Sequence, residues 1–369
     1  PLFKRSKLRW FVLFARTESF SFLLMYHHSL FGVISILFLL FSGEVAAWHN
    51  IEHAIIAKIA ENYAYKLSMD KVRTVTEFLQ DKYPSTGSYL DSACWADEVK
   101  QTPEFNHTIP WHFIRTPYSR DGKHSKEDSS TSNVVSMLKM LVTKIDQNAV
   151  NEEESMNLRF FIHLMGDIHQ PLHNLNFFDE RFPEGDTNGQ QFTILLNREN
   201  DTETQKLHFF TDAAGGLCSD SKELPFTDEK FDEVNQLATV FAESCEDIYA
   251  SGFEFDPLAW SQESYEAGKS IYDSVKYMSI LSDEQVSFIQ SVLMKQMCKA
   301  GKRLALSYEL IYNTFPVPND FYLIISAFFA LLLIVVLDEV YHGGSCSKQR
   351  KEYQGIDNNK KKVKFDFGN

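Results

Sequence analysis

The segment His163-Leu-Met-Gly-Asp167-Ile-His-Gln-Pro-Leu-His173 constrains this chain more than any other. The apolar run Leu158, Phe161, Ile162 and Met165 predicts a helix over 158–170, on which His163 and Asp167 stand four residues apart and share one face. Pro171 lacks an N–H and disfavours helix in the residue before it, so the helix should kink or stop there and swing His173 back toward the same pocket. Three potential metal ligands then converge within one segment. Taken alone, a His and an Asp at this spacing are commonly a satisfied surface pair. The rest of the chain supplies the partners that argue otherwise.

The sequence has 369 residues, 44% hydrophobic and 23% charged, ample for one large core or two small ones. Its formal net charge is −14, from 36 Lys+Arg against 50 Asp+Glu, which excludes a general positive field that would hold nucleic acid. Any polyanion must be held by local charge, such as metal ions.

Two stretches are strongly apolar. Ser29 to Phe41 is followed by Ser-Gly-Glu-Val45-Ala46-Ala47, small residues where a signal peptidase would cut and leave Trp48 as the new N-terminus. The first methionine is Met25, so 1–24 reads as upstream translated sequence and 25–47 as a signal peptide; an uncleaved membrane anchor is the alternative. Phe321 to Leu337 carries no charge and would be about 25 Å long as a helix, enough to span a bilayer with its flanks snorkelling. A buried core helix is the alternative there. Lys348, Arg350, Lys351, Lys360, Lys361, Lys362 and Lys364 lie beyond it and favour a span with a cytosolic tail. The expected organisation is a folded domain over 48–316, a linker and transmembrane helix over 317–341, and a basic tail over 342–369, with the domain extracellular or luminal. Cys94, Cys218, Cys245 and Cys298 lie between the two apolar stretches, and their even number in an oxidising compartment predicts two disulfides. Asn106-His-Thr108 and Asn200-Asp-Thr202 are glycosylation sequons.

After Trp48 the pattern Ile51, Ala54, Ile55, Ala57, Ile59, Ala60 reads as a helix with His53 in its first turns, followed by a second helix over 72–83. Asp97 lies between Trp95 and Val99, an apolar setting in which an ionised carboxylate needs a partner or a metal. His112 is likewise embedded, in Ile109-Pro-Trp-His-Phe-Ile114. Residues 118–133 form a polar loop, and Val134 to Ile145 reads as a helix. A Gly/Pro/Asp/Asn-rich loop over 174–191 leads to a short β-like run from Phe192 to Leu196. Leu207-His208-Phe-Phe-Thr-Asp212 repeats the four-residue His/Asp spacing. From Phe231 to Tyr312 the pattern is helical, clearest over 243–249, 260–277 and 287–312. The expected class is all-α, with a metal site among helices and connecting loops.

Imidazole and carboxylate ligands without thiolates suit zinc, and the set exceeds one tetrahedral shell, so more than one ion is implied. At this point the sequence resembles the class I nuclease family, the single-strand-specific trinuclear zinc nucleases and 3'-nucleotidases of fungi, plants and protozoa. The resemblance runs from Trp48 to about Tyr312. It rests on five motifs in order: W-x-x-x-x-H, C-W-A-D, W-H-F-I, H-x-x-x-D-x-x-Q-P-L-H and L-H-x-x-x-D.

Carried over residue by residue, the resemblance implies one zinc on Asp97, His112, His163 and Asp167, and a second on His173, His208 and Asp212. A third would sit on His53, the bridging Asp167, and the α-amine and carbonyl of Trp48. It further implies hydrolysis of single-stranded DNA and RNA to 5'-phosphate ends and removal of phosphate from 3'-nucleotides; with the apolar stretch 321–337, the expected protein is a monomer held to the membrane by its C-terminal helix. Lys100 stands where the resemblance leads one to expect a phosphate-contacting arginine, and supplies the charge without the two-pronged geometry. Phe113 resembles the base-stacking residue. Arg115 replaces an acidic, base-contacting residue of fungal members, and Asn188-Gly-Gln190 replaces a Gly-Gly-Asn loop. His169 reads as a neighbour of the ligands or a surface residue. A zinc-dependent phospholipase C shares these features, although the late motif ends in Asp212 where that reading wants Glu; a non-catalytic membrane-anchored zinc protein is the remaining alternative.

Overall fold

The computed structural model describes residues 48–122, 126, 130–198, 201–218, 223–248, 252–314 and 328–337. The expectations for 1–47 and for the basic tail lie outside them. The chain divides into two units, one ending at Thr314 and one beginning at Phe315.

The first unit is mostly helical, as expected. Helix α1 (Asn50–Tyr63) is buried nearly all round, which fits its run of Ile and Ala. The long α10 (Asp283–Tyr312) lies along it and forms the most extensive helix pairing among the described elements. Gly301 makes this possible, because a Cβ there would stand 2.5 Å from the Ile59 side chain. A capping box between Ser282 and Gln285 starts α10, and Asn313 in the left-handed region ends it. Helix α8 (Asp228–Ala242) covers another side of α1, and α9 (Pro257–Ser274) packs over the turn that carries His173.

Helix α6 (Glu152–Asp167) runs through the middle, packed by α2 (Lys66–Thr76), α4 (Trp95–Val99) and α5 (Val134–Lys144). Asn151 caps it through the Glu154 amide, and three glutamates in its first turn suit the positive end of the helix dipole. It stops at Asp167, three residues before the expected end, since the amides of His169 and Gln170 reach back only three residues, to Gly166 and Asp167. The helix expected over 72–83 is displaced toward the N-terminus, beginning at Lys66 and closing in a short 3-10 turn. The helix expected over 243–249 is absent from the described residues there; α8 ends at Ala242 and the chain turns into Cys245, which is tied to Cys298 of α10.

Short strands β1 (Thr116–Tyr118) and β2 (Leu175–Phe177) pair in parallel, in register Thr116 with Leu175. A hairpin joins β3 (Thr193–Arg198) to β4 (Asp201–Lys206) and delivers the chain into α7 (Leu207–Asp212).

One disulfide is present among the described cysteines, Cys245–Cys298. The expected second one is not formed: Cys94 and Cys218 are buried free thiols, the first donating to the Asn50 carbonyl at 3.3 Å.

In the second unit, 328–337 is an exposed apolar helix, and 321–327 of the expected span lie outside the described residues. Among the described residues no helix is long and apolar enough to cross a membrane.

Candidate metal centre

The C-terminal turn of α6 presents His163 and Asp167 one turn apart, as their spacing requires. His163 donates its Nδ1–H to the Ala93 carbonyl at 2.7 Å, which aims Nε2 inward, 3.2 Å from Asp97 Oδ1 and 3.3 Å from Asp167 Oδ2. Asp97 arrives on α4. His112 ends a 3-10 helix (Asn106–His112) and places Nδ1 2.9 Å from Asp167 Oδ2 and 3.5 Å from Asp97 Oδ1.

From the other side, α1 lays His53 on His163 with ring centroids 3.8 Å apart and its Nε2 3.6 Å from Asp167 Oδ1. This approach needs glycine at 166, because a Cβ there would meet His53 Nδ1 at 2.8 Å. Asp167 therefore faces ligands with both oxygens: Oδ2 toward His112 and His163, Oδ1 toward His53 and, at 3.5 Å, His173.

A third group forms where the turn after Pro171 meets α7. His173 and His208 stack at 5.2 Å, and their Nδ1–H groups donate to the carbonyls of His112 and Asn188 at 2.9 and 2.7 Å. Asp212, one turn after His208 on α7, lies 3.2 Å from His208 Nε2 and 3.9 Å from His173 Nε2. Gln170 braces this corner. Its Nε2 donates to Asp212 Oδ1 at 2.6 Å while its Oε1 accepts the amides of Leu172 and His173.

The donor atoms thus fall into three sets, within each of which they lie within 4.8 Å of one another: His53/His163/Asp167, Asp97/His112/His163 and His173/His208/Asp212. Nearly all are fully buried. His53 Nε2, His112 Nε2, His163 Nε2, His173 Nε2, Asp167 Oδ1 and Asp212 Oδ2 make no hydrogen bond. So many orphaned lone pairs in one buried cluster is costly unless cations complete them. The residues fit a polynuclear metal centre.

Protonation follows the same logic. Burial opposes charge on His163, but Asp167 and Asp97 beside it push its pKa up to about 10. Burial would raise both carboxyls, yet Lys100 and His163 hold Asp97 well below the usual carboxylate range, and His163 and His112 do the same for Asp167. Burial lowers His53 and His112 and takes His173 down to about 3, so these imidazoles are neutral and ligand-ready. Burial, reinforced by Glu52 and Asp167, raises Asp212 well above the usual range. Without a metal ion, Lys100 and His163 carry the positive charge this acidic cluster demands.

The S1/P1 nuclease family model matches residues 48–313. The chain belongs to that family. It is 34% identical over 152 residues to endonuclease 3 of Arabidopsis thaliana, covering 38% of this chain and 49% of that protein. Over 134 residues it is 31% identical to nuclease S1 of Aspergillus oryzae, covering 35% and 45%. Nuclease P1 of Penicillium citrinum is 27% identical over 133 residues, covering 34% and 47%. The chain spans about half the length of the curated relatives it matches.

In this S1/P1 family member the structure brings together all eight His and Asp residues singled out as ligands, with Asp167 at their middle. Trp48 is fully buried and its indole donates to the Gly166 carbonyl at 2.9 Å, one residue before Asp167. Lys100 is 4% exposed, with Nζ 2.6 Å from Asp97 Oδ1. Phe113 is not an open platform, being 6% exposed with the Arg115 guanidinium 4.3 Å over its ring. His169 is no ligand and is not on the surface: it bonds the Met165 carbonyl and Arg303. The sequence reading assigned no role to Gln170, Gly166 or Asn188. Gln170 was within the central motif, but its bracing of Asp212 depends on a contact 42 residues away.

Proposed function

We propose that this chain is a zinc-dependent phosphoesterase that hydrolyses single-stranded DNA and RNA to 5'-phosphate products and removes the phosphate of 3'-nucleotides. The observation that carries the reading is Asp167, a buried carboxylate with ligand groups on both of its oxygens. Imidazole and carboxylate donors without thiolate favour zinc, and three donor sets accommodate three ions, the third completed by the α-amine of Trp48 once the chain is cut before it. When bound, zinc supplies Lewis acidity toward a phosphoryl oxygen and a water nucleophile at neutral pH.

The protein's own groups do the rest. Asp97 and Asp167, ionised at every working pH, set the charge of the centre. Lys100 leans on Asp97 and offers a point charge to a phosphate oxygen, with less directional control than an arginine. Nδ1-to-carbonyl bonds hold His163, His173 and His208 in one tautomer and one orientation, so little reorganisation is needed on binding. Arg115, lying over the Phe113 ring, meets the base or its neighbouring backbone first. The same reading takes the protein to be an exported monomer held to the membrane by the 317–341 segment, its basic tail cytosolic; the exposed Asn106 sequon agrees with export.

The chain processed before Trp48 should cleave single-stranded DNA and 3'-AMP, lose both activities to a chelator and regain them with zinc. Phosphatidylcholine should be untouched. Lipid cleavage without nucleotide cleavage would replace this reading with a phospholipase C, and absence of all three activities in zinc-loaded protein would leave only a structural role for the metal. Loss of a glycan from Asn106 on glycosidase treatment checks the export side.

A further inference from the structure

Beside the His173/His208/Asp212 group runs a loop whose backbone is unusual. Gly185, Thr187, Asn188 and Gly189 all have positive φ, at 87°, 57°, 57° and 89°. Glycine is required at 185 and 189 by space as well as by φ, since a Cβ would stand 2.0 Å from the Asn176 amide and 2.6 Å from Leu172. Asn188 has a side chain, and a left-handed asparagine persists where its contacts over-determine it.

Those contacts reach three parts of the site. The Oδ1 of Asn188 accepts Arg115 Nε at 3.1 Å. Its Nδ2 donates to the carbonyls of Leu172 and Leu175, at 2.8 and 2.9 Å, on either side of His173 in the chain. Its own carbonyl accepts the Nδ1–H of His208 at 2.7 Å. One buried residue thus touches the arginine over Phe113, the turn that carries one metal-group imidazole, and the ring of the other.

We infer that Asn188 is a positioning residue that couples the substrate-contacting pair Phe113/Arg115 to the His173/His208/Asp212 metal group. An arginine side chain has many rotamers; tying Nε to Oδ1 while the guanidinium lies on the Phe113 ring selects one pose before substrate arrives. The same amide holds the backbone under His173, so one side chain fixes both the arginine pose and the turn that carries a metal-group imidazole. The substrate half of this inference rests on the phosphoesterase reading; the metal half does not.

The test uses the chain processed before Trp48 and three variants of it. Asn188→Gly tolerates the positive φ and keeps the carbonyl bond to His208, but deletes the whole amide. Asn188→Asp keeps an acceptor for Arg115 and replaces the donor to Leu172 and Leu175 with a carboxylate that repels their carbonyls. Arg115→Met removes the arginine alone. Asn188→Gly and Arg115→Met should each raise KM for 3'-AMP about tenfold, and the double variant should raise it little further, since the second change removes a contact already lost. Asn188→Asp should hold KM within about threefold of the parent while kcat falls. Metal analysis after dialysis against a chelator buffer should show Asn188→Asp and Asn188→Gly retaining about one ion fewer than the parent, with Arg115→Met unchanged.

Full multiplication of the two KM effects in the double variant, or parental metal retention in Asn188→Asp, would overturn the coupling. A parent inactive on nucleotides would instead sink the phosphoesterase reading. Calorimetric titration with 3'-AMP would then replace KM, with the same expected and contrary results.

Discussion

The indole Nε1 of Trp48 donates to the carbonyl of Gly166 at 2.9 Å, across 118 residues of sequence. Trp48, where the family match begins, is thereby pinned one peptide before Asp167. Cleavage before Trp48 would create a free α-amine, whereas a peptide nitrogen in its place is planar, non-basic and a poor zinc donor. One extra alanine before Trp48 should lower zinc from about three to about two per chain and remove most activity, with the far-UV circular dichroism unchanged. Full activity in an extended protein, verified by mass, would sink the α-amine ligand.

Asp167→Asn should be the most damaging of the ligand changes, because both oxygens face ligand groups. Activity should fall by more than about a thousandfold and metal content to below two ions per chain. Retention of all three ions, read by elemental mass spectrometry, would contradict a bridging role.

Gly166→Ala probes the contact between α1 and α6 without touching a ligand. Its Cβ would meet His53 Nδ1 at 2.8 Å, so His53 must retreat from Asp167. The expected cost is about 1–3 kcal/mol in denaturant unfolding, together with loss of the ion nearest His53. Parental stability and parental metal content together would show that α1 does not need this close approach.

Asp186 offers a pH test away from the ligands. Burial pushes its carboxyl up to about 6 from an ordinary 3.8, while Tyr272 and the Phe177 amide partly offset that. The folded state therefore keeps a proton that the unfolded chain has released, and stability is lost as pH rises from below 3.8 through about 6, on the order of 3 kcal/mol. Asp186→Asn keeps an acceptor for Phe177 and cannot ionise. Unfolding free energies measured from about pH 4 to pH 7 should show the variant gaining on the parent across that window. Parallel pH curves would mean the carboxyl is not the titrating group.

Reduction should act through Cys245–Cys298 alone among the described cysteines. The bridge spans a sequence separation of 53, so breaking it should cost about 2–4 kcal/mol. Cys94 and Cys218 are buried, with thiols that burial pushes above their ordinary pKa, and should resist alkylation in the native state. Peptide mapping that found either one alkylated without denaturant would contradict this packing.

What the sequence made legible was local. His163 with Asp167, His208 with Asp212 and Lys100 with Asp97 are three or four residues apart on helices or helix ends, where spacing alone sets geometry. The ring of His53 on His163 was not legible, since it depends on two helices meeting at Gly166. Nor was the arginine lying over Phe113, or the backbone at Asn188 that holds it. Counting cysteines predicted two bridges, but parity carries no distance: the Cys94 thiol donates instead to the Asn50 carbonyl of α1, and Cys218 is a buried free thiol. The helix expected over 243–249 had a suitable pattern, yet the chain there is turned toward the disulfide to Cys298. Helix existence followed from periodicity, while helix ends followed from tertiary contacts.

The pairing of α1 with α10 also sets an order in time. Every His and Asp ligand lies between His53 and Asp212, whereas the helix that covers α1 ends only at Tyr312. Roughly a hundred residues separate the last ligand from the end of that helix, so at about 5–20 residues per second a ribosome completes the ligand set several seconds before its cover. During that interval His53 sits on a helix whose apolar back is open, and any early hold on α6 must come from the imidazoles and carboxylates themselves. Nascent chains arrested shortly after residue 212 and shortly after residue 312 would therefore be two chemically different species, the first with ligands and no roof, the second with both.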